Sequence, residues 1–337
     1  MLNFEEKAYL ADFSKVTGLK TKIESYVDEI TAGGIENIFL VGIGGTISLM
    51  YPMESFIKKH SKIPVYTENA AEIVLGVNCS LSEKSAVILY SESGTTKETV
   101  AAAEYCKSRG IPTIGVSGAD NSPLANALKY PIVSSEGDYY SSDADYIRLY
   151  MIVSRLLYRL GDYPAYDAFL KALGDLPKAL CDVKVKVDPA ALKFATEYKD
   201  EPYHMLVGSG NMWGETYCYA MCILEEMQWI HTKAIHAAEF FHGTLELVDD
   251  KTSVILLKGE DQTRPLTDRV EKFVTRYTEK VTVFDTKDYA LEGIPTQFRA
   301  DFSPIVMTAI LGRVSAHLEV VRNHSLALRR YYRKVEY

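Results

Sequence analysis

The sequence predicts an α/β protein with two parallel sheets, each flanked by helices, with a helical N-terminal segment and a C-terminal tail. Three observations predict it. From residue 37 onward, short and nearly continuous apolar runs alternate with longer runs of helical periodicity, the pattern of strands buried on both faces. Two of these runs end in small, polar turns, at residues 42–46 and 91–96. From Tyr203 the alternation restarts, as in an internal duplication.

Residues 1–34 read as two helical segments closed by Gly33-Gly34, the second with Ile23, Tyr26, Val27 and Ile30 on one face. Residues 35–161 form the first domain. Its expected strands are 37–43, 64–68, 86–90, 112–116 and 130–133, and its expected helices include 47–59, 97–108 and 145–160. Residues 162–200 are a turn and a helical connector. The second domain, 201–322, is expected to hold strands at 204–207, 253–257 and 280–285 and helices at 213–230, 266–279 and 304–322. The tail, 323–337, is rich in Arg and Tyr; Tyr331, Tyr332 and Tyr337 suit a docked segment better than a free end.

A chain of 337 residues with 47% hydrophobic and 24% charged residues can bury a large core. Its net charge of −8 and the absence of a basic stripe argue against a nucleic-acid surface. The first residues carry Glu5, Glu6 and Lys7 without an apolar leader core, and no run approaches eighteen uncharged apolar residues. A cytoplasmic protein without a membrane partner is expected. The five cysteines are scattered and lack metal-ligand spacing, so buried free thiols are expected, and no metal or cofactor.

Ser91-Glu92-Ser93-Gly94-Thr95-Thr96 joins an apolar strand to a helix. The first amides of a helix lack intrahelical partners and sit at the positive end of its dipole, so Ser91, Ser93 and Thr96 could complete a phosphate cradle without a cation. An ordinary N-cap and turn would fit the same residues. The turn Gly42-Ile43-Gly44-Gly45-Thr46 is not a dinucleotide fingerprint, because Ile47 stands where the third glycine belongs. The second cluster is Glu225-Glu226-Met227-Gln228-Trp229-Ile230-His231, followed by Ile235-His236-Ala237-Ala238-Glu239-Phe240-Phe241-His242-Gly243. Carboxylates and imidazoles among apolar neighbours are the ingredients of general acid–base work. Taken singly, Glu225 reads as a solvated helix face and His231 and His236 as structural histidines.

Together these stretches resemble the double sugar-isomerase (SIS) domain proteins, and within them the fructosamine-6-phosphate deglycases, in the branch acting on 6-phosphofructose-amino acids of the fructose-asparagine type. The resemblance covers nearly the whole chain and extends to the ending Arg329-Arg330-Tyr331 with Lys334-Val335-Glu336-Tyr337. It implies that Ser91, Ser93 and Thr96 hold the sugar phosphate, with Thr46, Gly44 and Gly45 contributing from the first turn. It implies that Glu226 and His242, sixteen residues apart, carry the proton transfers, with Glu239 positioning His242 or sugar hydroxyls. Lys334 lies near the position of a tail lysine in the related synthases. Two departures, Ala238 for a usual Gly and Thr244 for a usual Pro, alter the backbone around His242. The implied protein is a homodimer with shared sites. Related activities (ketose or amino-sugar phosphate isomerisation or deamination, glucoselysine-6-phosphate cleavage) and a non-catalytic sugar-phosphate sensor are the alternatives. An amino-acid carboxylate on the substrate calls for a cation, for which Arg148, Lys233 and Arg329 are all open.

Overall fold

A computed structural model of the chain describes residues 1–133 and 142–336; Tyr337 lies outside the described residues. The chain divides into an N-terminal unit, Glu6–Pro177, and a C-terminal unit, Lys178–Tyr337 joined by Met1–Glu5.

In the N-terminal unit, α1 (Glu6–Gly18) and α2 (Lys20–Ala32) precede β1 (Asn37–Gly42). There follow α3 (Gly45–His60), β2 (Val65–Asn69), α4 (Ala70–Ile73), β3 (Ser85–Ser91), α5 (Lys97–Ser108), β4 (Thr113–Ser117), α6 (Pro123–Ala127), β5 (Tyr130–Val133) and α7 (Ser142–Arg159). The five strands form a parallel sheet in the order β2-β1-β3-β4-β5. β1, β3 and β4 are buried along their whole length, which is why they read as unbroken apolar runs. On one face, Phe39, Val41, Val87 and Leu89 pack with Ala102, Ala103 and Cys106 of α5 and Leu124 of α6. Burial raises the Cys106 thiol to about 11, which keeps it an inert core group.

The long α8 (Tyr166–Tyr198) passes from one unit into the other. The C-terminal unit continues with β6 (Tyr203–Gly208), α9 (Trp213–Cys218), a π-helical stretch Tyr219–Glu225, α10 (Glu226–Gln228) and β7 (His231–His236). Next come β8 (Ser253–Lys258), α11 (Arg264–Val274), β9 (Val281–Asp285) and α12 (Thr296–Val321). All four strands are parallel, in the order β7-β6-β8-β9. This is the order of the first four strands of the other sheet, as a duplication requires.

Three elements differ most from expectation. β7 was hidden because it is an edge strand whose burial alternates, so its sequence His231-Thr232-Lys233-Ala234-Ile235-His236 carries no apolar run. The helix expected over 213–230 loosens into a π-helical stretch and stops at Trp229. The last helix starts at Thr296, so Pro304 lies in its interior. A proline there cannot bond the carbonyl four residues back. That carbonyl, Ala300 O, instead accepts from Asn211 Nδ2 at 2.6 Å. Among the described residues, α12 is the one helix long and apolar enough to cross a membrane, but it carries Arg313 and 78% of its apolar window is buried in the protein.

Candidate active site

In the N-terminal sheet β1 and β3 are neighbours, with Val41 opposite Leu89, while their helices depart in opposite directions of strand order. This is the switch point at which open α/β sheets bind ligands, beyond the carboxyl ends of the strands. The turns at 42–46 and 91–96 both stand there. Ser91, buried at the end of β3, shares a hydrogen bond with Thr96 through their hydroxyls at 2.9 Å. Ser93 Oγ accepts from the Thr95 hydroxyl at 3.0 Å and from the Thr95 amide at 3.3 Å. Thr96 is the N-cap of α5, yet its side chain does not cap the helix. Lys97, Glu98 and Thr99 open α5 where no carbonyl four residues back lies within the helix, so their amides suit an anion. Gly94 holds the turn at φ +63°, and a Cβ there would fall 2.4 Å from the hydroxyls of Ser117 and Ser122. Its carbonyl accepts from Leu124 N at 3.0 Å, which ties the turn to α6. Thr46 closes the other turn: its hydroxyl donates to Ile43 O at 2.9 Å and accepts from Ile43 N at 3.1 Å. Gly44 is the residue before α3, so Gly44 and Gly45 can offer backbone groups alone.

The matching crevice of the C-terminal sheet, between β6 and β8, is filled. Asp261 accepts from Asn211 N at 2.8 Å, and its other oxygen accepts from the amide and hydroxyl of Thr263 at 3.0 and 2.7 Å. A Cβ on Gly210 would lie 2.4 Å from Asp261 Oδ2 and 2.3 Å from Thr263 Oγ1. At Gly44, which stands two residues past its strand-ending glycine as Gly210 does, an added Cβ meets open space among the described residues.

Glu226 lies where the π-helical stretch ends. Such stretches recur at functional sites because the extra residue per turn redirects the side chains that follow. The helix stops at Trp229, which adopts φ +56° and ψ +33°, a conformation that costs a non-glycine residue about 1–2 kcal/mol. Its amide donates to Glu225 O at 3.2 Å, and the Ile230 amide donates to Leu224 O at 2.9 Å. The ring is held between the Arg330 guanidinium, 4.0 Å from its centroid, and the edge of His324, at 4.5 Å. Arg329 Nε pairs with Glu226 Oε1 at 2.8 Å, with side-chain exposures of 18% and 29%. A cleft of about 410 Å³ results, lined by Glu225, Glu226, Trp229, Arg329, Tyr331 and Tyr332 among others.

The tail therefore docks, but through Arg329 and Arg330; Tyr331 and Tyr332 stay 68% and 43% exposed. Glu225 accepts from the Thr232 hydroxyl at 2.6 Å and so tethers β7. His236 Nδ1 accepts from Ala238 N at 3.3 Å, and burial lowers its basicity against the raising effect of Glu239. Glu239 and His242 are both exposed, Glu239 just before the 3-10 turn Phe240–His242 that follows β7 and His242 at its end. Lys334 is exposed in the tail, its amide donating to Tyr331 O at 2.8 Å. Ser91, Ser93, Thr96, Gly44, Gly45 and Thr46 are thus gathered at one switch point, and Glu226 lies in a cleft of its own unit. In the sequence Arg329 stands only as one of three candidate cations, and Trp229 only as part of the stretch around Glu226. Their pairing with Glu226 and with the tail, and the role of Asp261, are not legible there, since each joins residues distant in the chain.

A family model described as the SIS domain matches residues 35–144. The chain is 34% identical over 319 residues to fructosamine deglycase FrlB of Bacillus subtilis (strain 168), covering 94% of this chain and 97% of the relative. It is 25% identical over 313 residues to fructoselysine 6-phosphate deglycase of Escherichia coli O157:H7, covering 92% and 89%. Among solved structures, a candidate phosphosugar isomerase from Bacillus subtilis superimposes with a TM-score of 0.90 at 34% identity, covering 96% of this chain and 100% of that one. The C-terminal domain of glucosamine-fructose-6-phosphate aminotransferase from Francisella tularensis shares the fold, with a TM-score of 0.76 at 16% identity over 94% and 97% of the two chains. The chain belongs to the SIS-domain family, in the group that includes the fructosamine deglycases.

Proposed function

We propose that the protein cleaves a 6-phosphofructose-amino acid into glucose 6-phosphate and the free amino acid. The observation that carries this reading is Glu226, a carboxylate set at a helix discontinuity in a cleft large enough for a small molecule, in a chain that also keeps a hydroxyl-lined turn at a switch point. The relatives named as fructosamine and fructoselysine 6-phosphate deglycases support it. A sensor of sugar phosphates needs the hydroxyl turn and has no use for Glu226 and His242.

Ser91, Ser93, Thr96 and the first amides of α5 hold the phosphate. His242 moves a proton to the ring oxygen as the sugar opens, which exposes the C2 carbonyl. Glu226 takes a proton from C1, giving an enaminol, and returns it at C2, so that the double bond now joins C1 and nitrogen. Water adds to this Schiff base at C1, the C–N bond breaks, and the amine leaves with the proton that water supplies. Glu239 positions His242. The exposure of His242 in a single chain fits a homodimer in which His242 of one copy completes the site of the other. A phosphorylated substrate does not cross a bilayer unaided, which fits a reaction in the cytosol, where such a phosphate is made.

The test is release of glucose 6-phosphate from a panel of 6-phosphofructose-amino acids, read through a coupled dehydrogenase. Turnover of at least one member is expected. Silence across the panel while fructose 6-phosphate still binds would leave a sensor or an isomerase instead.

A further inference from the structure

The deglycase reading leaves the amine end of the substrate without a partner, and the structure separates the three cations in question. Arg148 is buried with Asp145 at 2.7 Å in the N-terminal unit, and Lys233 donates to the Thr244 hydroxyl at 3.0 Å. Arg329 stands in the cleft. Its Nη1 donates to the carbonyls of Leu326 and Leu328 at 2.7 and 2.8 Å, which orient the guanidinium plane. Glu226 Oε1 lies 2.8 Å from Nε as an ion pair, and among the described residues neither Nε nor Nη2 donates a hydrogen bond. The Nε–Nη2 edge is the fork that a carboxylate grips with two parallel hydrogen bonds, and Glu226 meets it by charge without filling either bond.

We propose that this edge of Arg329 binds the α-carboxylate of the substrate's amino acid, displacing Glu226 and freeing it to move the proton. The proposal rests on the deglycase reading and adds a specificity-determining residue to it. Recognition of the amino acid and release of the base then become one event. One contact makes the exchange feasible without loss of the tail: Arg330 stays stacked on Trp229. The cleft of about 410 Å³ falls within the range of small-molecule sites.

The experiment compares 6-phosphofructose-alanine with 6-phosphofructose-ethylamine, the same amine without its carboxylate, in wild type, Arg329→Gln and Arg329→Lys. Wild type should prefer the alanine conjugate by about ten- to a hundredfold in kcat/KM, the worth of a charge-assisted pair. Arg329→Gln should bring the two substrates to within about threefold, mainly through a higher KM for the alanine conjugate. Arg329→Lys should keep part of the preference, because lysine supplies the charge without the fork. An equal fall on both substrates in Arg329→Gln would make Arg329 a tail anchor and overturn the proposal, as would a wild type without preference; in either case the deglycase reading would stand. A wild type that turns over neither conjugate, nor any member of the amino-acid panel, would remove that reading and this proposal with it.

Discussion

The two sheets share a strand order but finish their crevices in opposite ways. Beyond β1 and β3 the turns present hydroxyls, and a Cβ added at Gly44 would meet no atom among the described residues. Beyond β6 and β8 the corresponding space beside Gly210 is taken by the carboxylate of Asp261, held by two amides and a hydroxyl. A helix start attracts an anion either way; one unit leaves the place for a ligand and the other fills it from its own chain. What the C-terminal unit offers chemically lies elsewhere, at the end of a discontinuous helix beside an edge strand. The strand order is shared by both units, and the open crevice is not.

If the division is correct, the largest effect comes from the C-terminal unit. Glu226→Gln should lower kcat by about 10² to 10⁴ while leaving KM within a few-fold, since it removes a proton carrier and not the phosphate site. Steady-state kinetics on the best panel substrate would reveal it, and a change confined to KM would contradict the role.

Acid should also separate the units. β6 carries His204 where β1 carries Ile38, counting back from the glycine that ends each strand. His204 is buried and bonded to the Ser253 hydroxyl at 2.8 Å; burial, then the charges of Arg322 and Lys280, lower its pKa to about 4 from 6.5. The folded state therefore refuses a proton that the unfolded chain accepts. Its contribution is fully present above pH ~6.5 and is lost as pH falls towards ~4, by at most about 3 kcal/mol. Denaturant melts across that window should have a steeper acid limb in wild type than in His204→Asn, which cannot titrate.

Removing the internal anion is a smaller perturbation. Asp261→Ala leaves two amides and a hydroxyl without their acceptor and should cost about 1–2 kcal/mol, because the site is partly open to water. A thermal melt would measure it. Unchanged stability would mean that the crevice is solvated and not filled.

The mildest change tests the open crevice. Ser91→Ala with Thr96→Val should raise KM for phosphorylated substrate about tenfold, with kcat little altered, because helix amides still bind the anion. A fall in kcat of the same size would place the hydroxyls nearer the chemistry than the phosphate.

Much of this was legible in the residues. The strands β1, β3, β4, β6 and β8 announce themselves because both faces are covered, so nearly every position is apolar or small, with Asn37, His204 and Lys258 the polar exceptions. The helix over Lys97–Ser108 and the strand Tyr130–Val133 were expected at these bounds. β7 was not, because an edge strand needs few apolar residues. The π-helical stretch was not, because its residues Tyr219–Glu225 are ordinary helix formers whose register is set by what they pack against. Pro304 misled because its unpaired carbonyl is served by Asn211, more than ninety residues before the helix start that Pro304 suggested.

By itself the sequence determined the alternation of elements, the repeat, and the hydroxyl turn at 91–96 with Glu226 and His242 downstream. These are local, carried by periodicity, by small residues at turns and by motifs of a few positions. The tertiary structure decided which crevice stays open, what Arg329 pairs with, and that Trp229 is held in a left-handed turn by Arg330 and His324. Each depends on groups distant in the chain meeting in space, and on the shared cost of leaving a buried amide or charge unpaired, which no single stretch of sequence records.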